Sequence, residues 1–193
     1  MQRPSMEPLA GRMVPSPVGQ LSLVASDRGL VAVLWENDSP VRVRLAEVRK
    51  DAGANRFLAQ AARELDEYFS GRRTAFSLAL DFRGTEFQRQ VWNALLTIPC
   101  GGTRTYAQVA RQIGRPAAVR AVGAANGRNP VSIIVPCHRV VGSDGTLTGF
   151  AGGLDVKARL LALESSQAGC IRRRENSASG TAMAKNTTCP SSA

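Results

Sequence analysis

The run IIVPCHRVVG, residues 133–142, constrains this chain more than any other stretch, because it sets Cys137 directly beside His138, the single histidine in the sequence. A thiol reacts as its thiolate, and an ordinary thiol pKa of about 8.5 is lowered by a neighbouring imidazole or a helix N-terminus. The apolar residues 131–135 predict a short buried strand that Pro136 ends, since proline has no N–H to give to a ladder. Adjacent side chains on an extended strand point to opposite faces. A working Cys-His pair therefore requires a local bend, or a helix beginning, at Pro136-Cys137. The competing reading makes Cys137 a small buried hydrophobe and His138 its satisfied polar neighbour.

At 193 residues the chain suits one or two small domains with a core that needs no disulfides. Its four cysteines, at 100, 137, 170 and 189, form no C-x-x-C pair, and one histidine cannot complete the usual zinc sets, so reduced thiols and no metal are expected. No long apolar run suggests a membrane span. The opening MQRPSMEPLAGRMVP lacks the apolar core of a signal peptide, which predicts a cytoplasmic location, or a nuclear one in a nucleated cell. A net charge of +10 and a pI near 10.7 favour a polyanionic partner, although Arg172, Arg173, Arg174 and Lys185 place part of the excess near the C-terminus.

The N-terminal part, residues 1–82, reads as a small α/β domain in a structural role. Residues 13–35 predict a hairpin, with turns at Pro17-Val18-Gly19 and Asp27-Arg28-Gly29 around LSLVAS and LVAVLW. Residues 36–55 are polar, with a strand or short helix expected near 41–48. Phe57, Leu58, Ala61, Leu65, Tyr68 and Phe69 then form a helical stripe closed by Gly71, and residues 75–82 predict an outgoing strand.

Residues 83–166 predict a mainly helical domain. Thr85-x-x-Gln88 is a capping box for a helix whose apolar face is Phe87, Val91, Trp92, Leu95 and Leu96, with Trp92 in the core. Thr105-x-x-Gln108 is a second capping box, opening YAQVARQI. Gly114-Arg115-Pro116 separates that helix from AAVRAVGAAN, giving a helix-turn-helix. The third helix is smooth, built of Ala117, Ala118, Ala121, Gly123, Ala124 and Ala125, with Arg120 projecting. VVGSDGTLTG after the cysteine motif predicts a hairpin wing. LDVKARLLALE is a final amphipathic helix offering Leu154, Leu160, Leu161 and Leu163 to the core, and residues 167–193 predict a disordered tail.

Pro-Cys-His-Arg-Val, residues 136–140, resembles the active-site motif of the O6-alkylguanine-DNA alkyltransferases, and the likeness extends over roughly residues 85–165. It implies an α+β protein: a ribonuclease H-like N-terminal sheet with a helix, then a winged helix-turn-helix domain. It further implies irreversible, stoichiometric transfer of the alkyl group of O6-alkylguanine, with O4-alkylthymine as a further substrate candidate, onto Cys137 and without a cofactor. By the same resemblance His138 takes the thiol proton through a water, Glu164 orients the imidazole, Tyr106 contacts phosphate and donates a proton to the guanine, and Asn129 shapes the turn around the cysteine. A monomer would enter the minor groove of double-stranded DNA with the third helix, Arg120 filling the space left by the extruded base, and Thr105, Ala121 and Gly123 beside it. Val140, Leu147, Phe150, Ala151 and Gly152 would line the base pocket. The chain departs from many members in having Phe150 in place of tyrosine, from some in having Ala151 in place of serine, and from the usual run before the helix-turn-helix at Cys100-Gly101-Gly102. Three rival classes are a non-catalytic alkyl-damage sensor, a winged-helix regulator and a thiol hydrolase. The first replaces the cysteine, the second needs polar base readers on its recognition helix, and the third meets the Cys-His adjacency objection.

Overall fold

The computed structural model describes residues 9–179 except Pro40, Ala46, Ala52 and Ala54, and beyond Gln167 only the path of the backbone. Three strands, β1 (Leu9–Val14), β2 (Leu21–Ala25) and β3 (Leu30–Trp35), form an antiparallel meander, and β4 (Val48–Lys50) adds to β1 in parallel, giving the order β3-β2-β1-β4. The turn between β1 and β2 closes through Gly19 N–H on the Ser16 carbonyl at 3.1 Å, with Gly19 at φ 106°, which a side chain would resist. Helix α1 (Arg56–Phe69) starts where the Asn55 side chain accepts from the N–H groups of Phe57 and Leu58. Its stripe of Phe57, Leu58, Ala61, Leu65 and Tyr68 is buried in one core with Leu21, Leu23 and Val33.

Two strand expectations are corrected here. Residues 75–82 meet β3 at one point only, where Leu30 N–H donates to Ala79 O at 2.8 Å and Asp81 N–H to Leu30 O at 2.9 Å. The approach rests on Gly29, where any Cβ would lie 2.7 Å from the Ala79 carbonyl oxygen. Residues 131–135 are not a strand either. After one bridge, Val33 to Val131, the backbone folds into successive turns with Ile133 at φ 71°. A β-branched residue in that region costs about 1–3 kcal/mol and persists only where its surroundings enforce it. Here Val33 N–H binds Pro130 O at 2.9 Å, Val135 N–H binds Val131 O at 2.9 Å, and Ile133 is fully buried.

In the second half α2 (Glu86–Leu96), the short strand β5 (Arg104–Thr105), α3 (Tyr106–Gln112) and α4 (Val119–Gly127) form the helix-turn-helix unit. Both capping boxes are formed as the sequence predicts, each threonine hydroxyl accepting from a glutamine N–H at 3.2 Å while the glutamine side chain accepts from the threonine N–H. Trp92 is buried and donates its indole N–H to Ala125 O at 2.9 Å, tying α2 to α4. Leu96, expected on the inner face of α2, is 43% exposed, and Ile98 beyond the helix end is buried in its place.

The wing is not a hairpin. Strand β6 (Val140–Val141) pairs in parallel with β5, and the loop after it closes through Gly142 N–H on Thr146 O at 2.8 Å. The two limbs are bridged by the ammonium of Lys157 on α5 (Leu154–Ser179), which donates to Val140 O at 2.6 Å and Thr148 O at 2.7 Å. The inner stripe of α5 is Lys157, Leu160, Glu164 and Gln167, all buried, whereas Leu154, expected in the core, is 47% exposed. The helix also runs on through the stretch expected to be a disordered tail, to Ser179. Gln, Ala, Arg and Glu sustain helix well, against about 1 kcal/mol for the lone Gly169. The rest of that stretch, 180–193, lies outside the described residues.

Candidate active site

Pro136 ends the strained turn and Cys137 opens a single 3-10 turn, Cys137–Arg139, which supplies the local bend that an adjacent Cys-His pair requires. Cys137 is 3% exposed and reduced, and His138 and Glu164 are completely buried. Glu164 is the acceptor at the centre. Its Oε1 lies 2.8 Å from His138 Nε2 and accepts from Arg139 Nη2 and the Tyr68 hydroxyl, each also at 2.8 Å. Its Oε2 accepts from Arg139 Nε at 2.8 Å and Gly101 N–H at 3.2 Å. Burial alone would raise this carboxyl, but the hydrogen bonds of His138 and Arg139 and the charge of the guanidinium outweigh it, and the carboxyl is brought down to about 2.

An ionised Glu164 fixes the tautomer of the imidazole. Nε2 must donate, so a neutral His138 carries its lone pair on Nδ1, and Nδ1 is buried with no hydrogen-bond partner. Burial also pulls the His138 pKa down, against the pull of Glu164, which keeps the ring neutral and able to accept a proton. Burial pushes the Cys137 thiol up from its ordinary value, opposed by the Asn129 side chain and by the charges of Arg42 and Lys157. The resting sulfur is therefore a thiol, and the lowered pKa expected from the Cys-His adjacency is not found: desolvation outweighs the neighbours.

Asn129 holds the turn as expected, its Nδ2 donating to Val135 O at 2.8 Å and its Oδ1 accepting from Val131 N–H at 3.0 Å. Arg42 binds the Asn129 carbonyl from the N-terminal side while pairing with Asp38. Tyr106, first residue of α3, lies under Gly123 of α4 and accepts from the Thr148 hydroxyl at 3.1 Å. Of the expected pocket residues, Val140 is buried, Leu147 and Gly152 are half-buried, and Ala151 is exposed. Phe150 stands with its ring 6.4 Å from that of His138 and 5.5 Å edge-on to Trp35 of β3. Arg120 is exposed near the start of α4, as is Ala121, while Thr105 caps α3; these three are not drawn into the buried cluster.

Five residues that sequence reasoning left out belong to this cluster: Tyr68, Arg139, Lys157, Arg42 and Trp35. Three of them come from the N-terminal part of the chain: Trp35 from β3, Arg42 from the segment after it and Tyr68 from α1. Lys157 and Glu164 were visible together in one respect, since with Leu160 between them they fall on a single helical stripe.

Comparison with known proteins follows the same division of the chain. Residues 11–82 match the family described as 6-O-methylguanine DNA methyltransferase, ribonuclease-like domain, and residues 86–166 match its DNA binding domain. The chain is 50% identical over 155 residues to a methylated-DNA–protein-cysteine methyltransferase of Mycolicibacterium paratuberculosis, covering 79% of this chain and 90% of that one. Its counterpart in Methanosarcina barkeri is 48% identical over 155 residues, covering 80% and 96%. The crystal structure of Mycobacterium tuberculosis OGT in complex with DNA aligns with a TM-score of 0.74 at 45% identity, covering 83% of this chain and 94% of that one.

Proposed function

Because this chain belongs to the 6-O-methylguanine DNA methyltransferase family, whose members repair DNA by direct reversal, we propose that its own acceptor is Cys137 Sγ and its substrate the O6-alkylguanine of double-stranded DNA. The observation that carries this reading is the buried imidazole beside the thiol, held by an ionised Glu164 on Nε2 and unpartnered on Nδ1.

The reaction needs a base for the thiol, a path for the alkyl group and an acid for the leaving guanine. His138 Nδ1 takes the Cys137 proton through an intervening water, and Glu164 and Arg139 keep the ring oriented as it becomes charged. Sγ then bonds the alkyl carbon while the bond from that carbon to O6 breaks, the electron pair leaving with the guanine. Tyr106 gives its hydroxyl proton to the guanine and recovers it from solvent. The product is a thioether without an easy leaving path, so each chain reacts once, and no cofactor enters.

Access follows from the exposed surface. The smooth α4 enters the minor groove, Arg120 takes the place of the extruded nucleotide, and N–H groups of residues 148–153 hydrogen-bond O6 between Phe150 and Leu147. The protein acts as a monomer in the cytoplasm, or in the nucleus of a nucleated cell. Among the described residues no helix is long and apolar enough to cross a membrane.

The test is intact-protein mass after incubation with an oligonucleotide carrying O6-methylguanine, followed by peptide mapping. One added methyl group on Cys137, saturating at one per chain, is expected. Lesion binding without a mass change would instead identify a damage sensor.

A further inference from the structure

We infer that Tyr68, on the N-terminal helix α1, is a positioning residue of the proton relay, its hydroxyl controlling how strongly Glu164 draws a proton onto His138. The phenol is fully buried, seated between the rings of Phe69 and Phe76 at 5.3 and 5.4 Å, and its hydroxyl donates to Glu164 Oε1 at 2.8 Å. That is the oxygen that holds His138 Nε2. A buried phenol needs only some acceptor, and a backbone carbonyl would satisfy it. Ending on the one carboxylate oxygen that faces the imidazole makes its hydrogen bond compete with that of His138 for the same negative charge.

The groups around Glu164 are few. His138 and Arg139 reach it from the 3-10 turn, Tyr68 from α1, and Gly101 N–H from the loop after α2. Cys100 in that loop is a neutral thiol, pushed up to about 11 by burial and by Glu164, and it donates to Gln167. Gln167 in turn donates to the Tyr68 carbonyl at 2.9 Å, so the helix end that carries Tyr68 is fastened to α5. Lys157, on the inner stripe of α5, opposes protonation of His138. Among the described residues Tyr68 is the one neutral donor on the carboxylate that comes from the N-terminal domain, and its donor strength can be altered without changing net charge.

Removing the hydroxyl concentrates charge on Oε1, stabilises the imidazolium and raises the His138 pKa, so a smaller fraction of chains holds a neutral base at mildly acid pH. The consequence for alkyl transfer rests on the function proposed above; the coupling to His138 does not.

With one histidine in the chain, its ring carbon-bound proton gives an unambiguous NMR titration. Tyr68→Phe keeps the ring packing and should raise the His138 midpoint by about 0.5 pH unit or more, with transfer from free O6-benzylguanine slowed about threefold below the midpoint and unchanged near pH 8. Site-specific 3-fluorotyrosine at position 68, a stronger donor, should move the midpoint the other way, and it decides the matter alone if Tyr68→Phe does not fold. An unmoved midpoint in either protein, or a rate loss equal at every pH, would overturn the inference and leave Tyr68 a core anchor. The titration uses no alkyl donor, so absence of transfer in the unsubstituted protein would count against the reaction and not against the coupling.

Discussion

Glu164→Gln tests the charge on which the buried cluster converges. The side chain keeps its shape but loses its charge, leaving the buried Arg139 guanidinium facing a neutral amide and at least one of five donors without an acceptor. Holding a carboxyl at about 2 instead of its ordinary 4.5 corresponds to about 3 kcal/mol of stability at neutral pH. That agrees with the roughly 3–5 kcal/mol lost when one partner of a buried pair is removed. For a chain of this size the variant should melt about 6–12 °C lower. Because the folded-state pKa is depressed, the contribution is complete above about pH 4.5 and disappears as pH falls towards 2. Urea unfolding of both proteins should therefore show a gap of about 3 kcal/mol at pH 7 that narrows to about 1.5 kcal/mol by pH 3. A gap of the same size at both pH values would refute the argument, since it would come from packing and not from the charge.

Three further outcomes are expected. Gly152→Ala places a methyl group 2.8 Å from the Trp35 indole, costs about 1–3 kcal/mol of overpacking and slows transfer from O6-benzylguanine, and adding Trp35→Phe should recover part of the rate; no recovery would disconnect Trp35 from the pocket wall. Lys157→Met orphans the carbonyls of Val140 and Thr148 and should lower stability by about 2–4 kcal/mol in urea unfolding, with slower single-turnover transfer. Arg120→Ala should slow repair of duplex DNA far more than reaction with free O6-benzylguanine, and equal losses on the two would remove Arg120 from base extrusion.

What the sequence disclosed was what is local. The capping boxes at Thr85 and Thr105, the stripe of α1 and the turns around β2 each rest on residues a few positions apart, and all are present. The adjacent Cys137 and His138 were readable for the same reason. Expectations failed where a distant partner decides the outcome. Residues 131–135 have a strand's composition, but the carbonyl of Pro130 is taken by β3, and the backbone then turns through a left-handed isoleucine that no propensity favours. Lys157 and Arg139 resemble solvated charges because their carbonyl and carboxylate partners lie 9 to 41 residues away. Leu154 and Leu96 resemble core because nothing local says that the buried stripe of α5 is half polar or that Ile98, beyond the end of α2, is buried in place of Leu96.

The contacts that converge on Glu164 also bear on when the site exists. They join it to residues 96, 63, 26 and 25 positions earlier, a set dominated by long chain separations that form late in folding because loop closure must come first. During synthesis Cys137 and His138 leave the ribosome before the carboxylate that gives the imidazole its tautomer. Until its last helix docks the chain thus lacks the oriented imidazole that the proposed transfer needs, and a chain truncated before α5 should take no alkyl group from O6-benzylguanine.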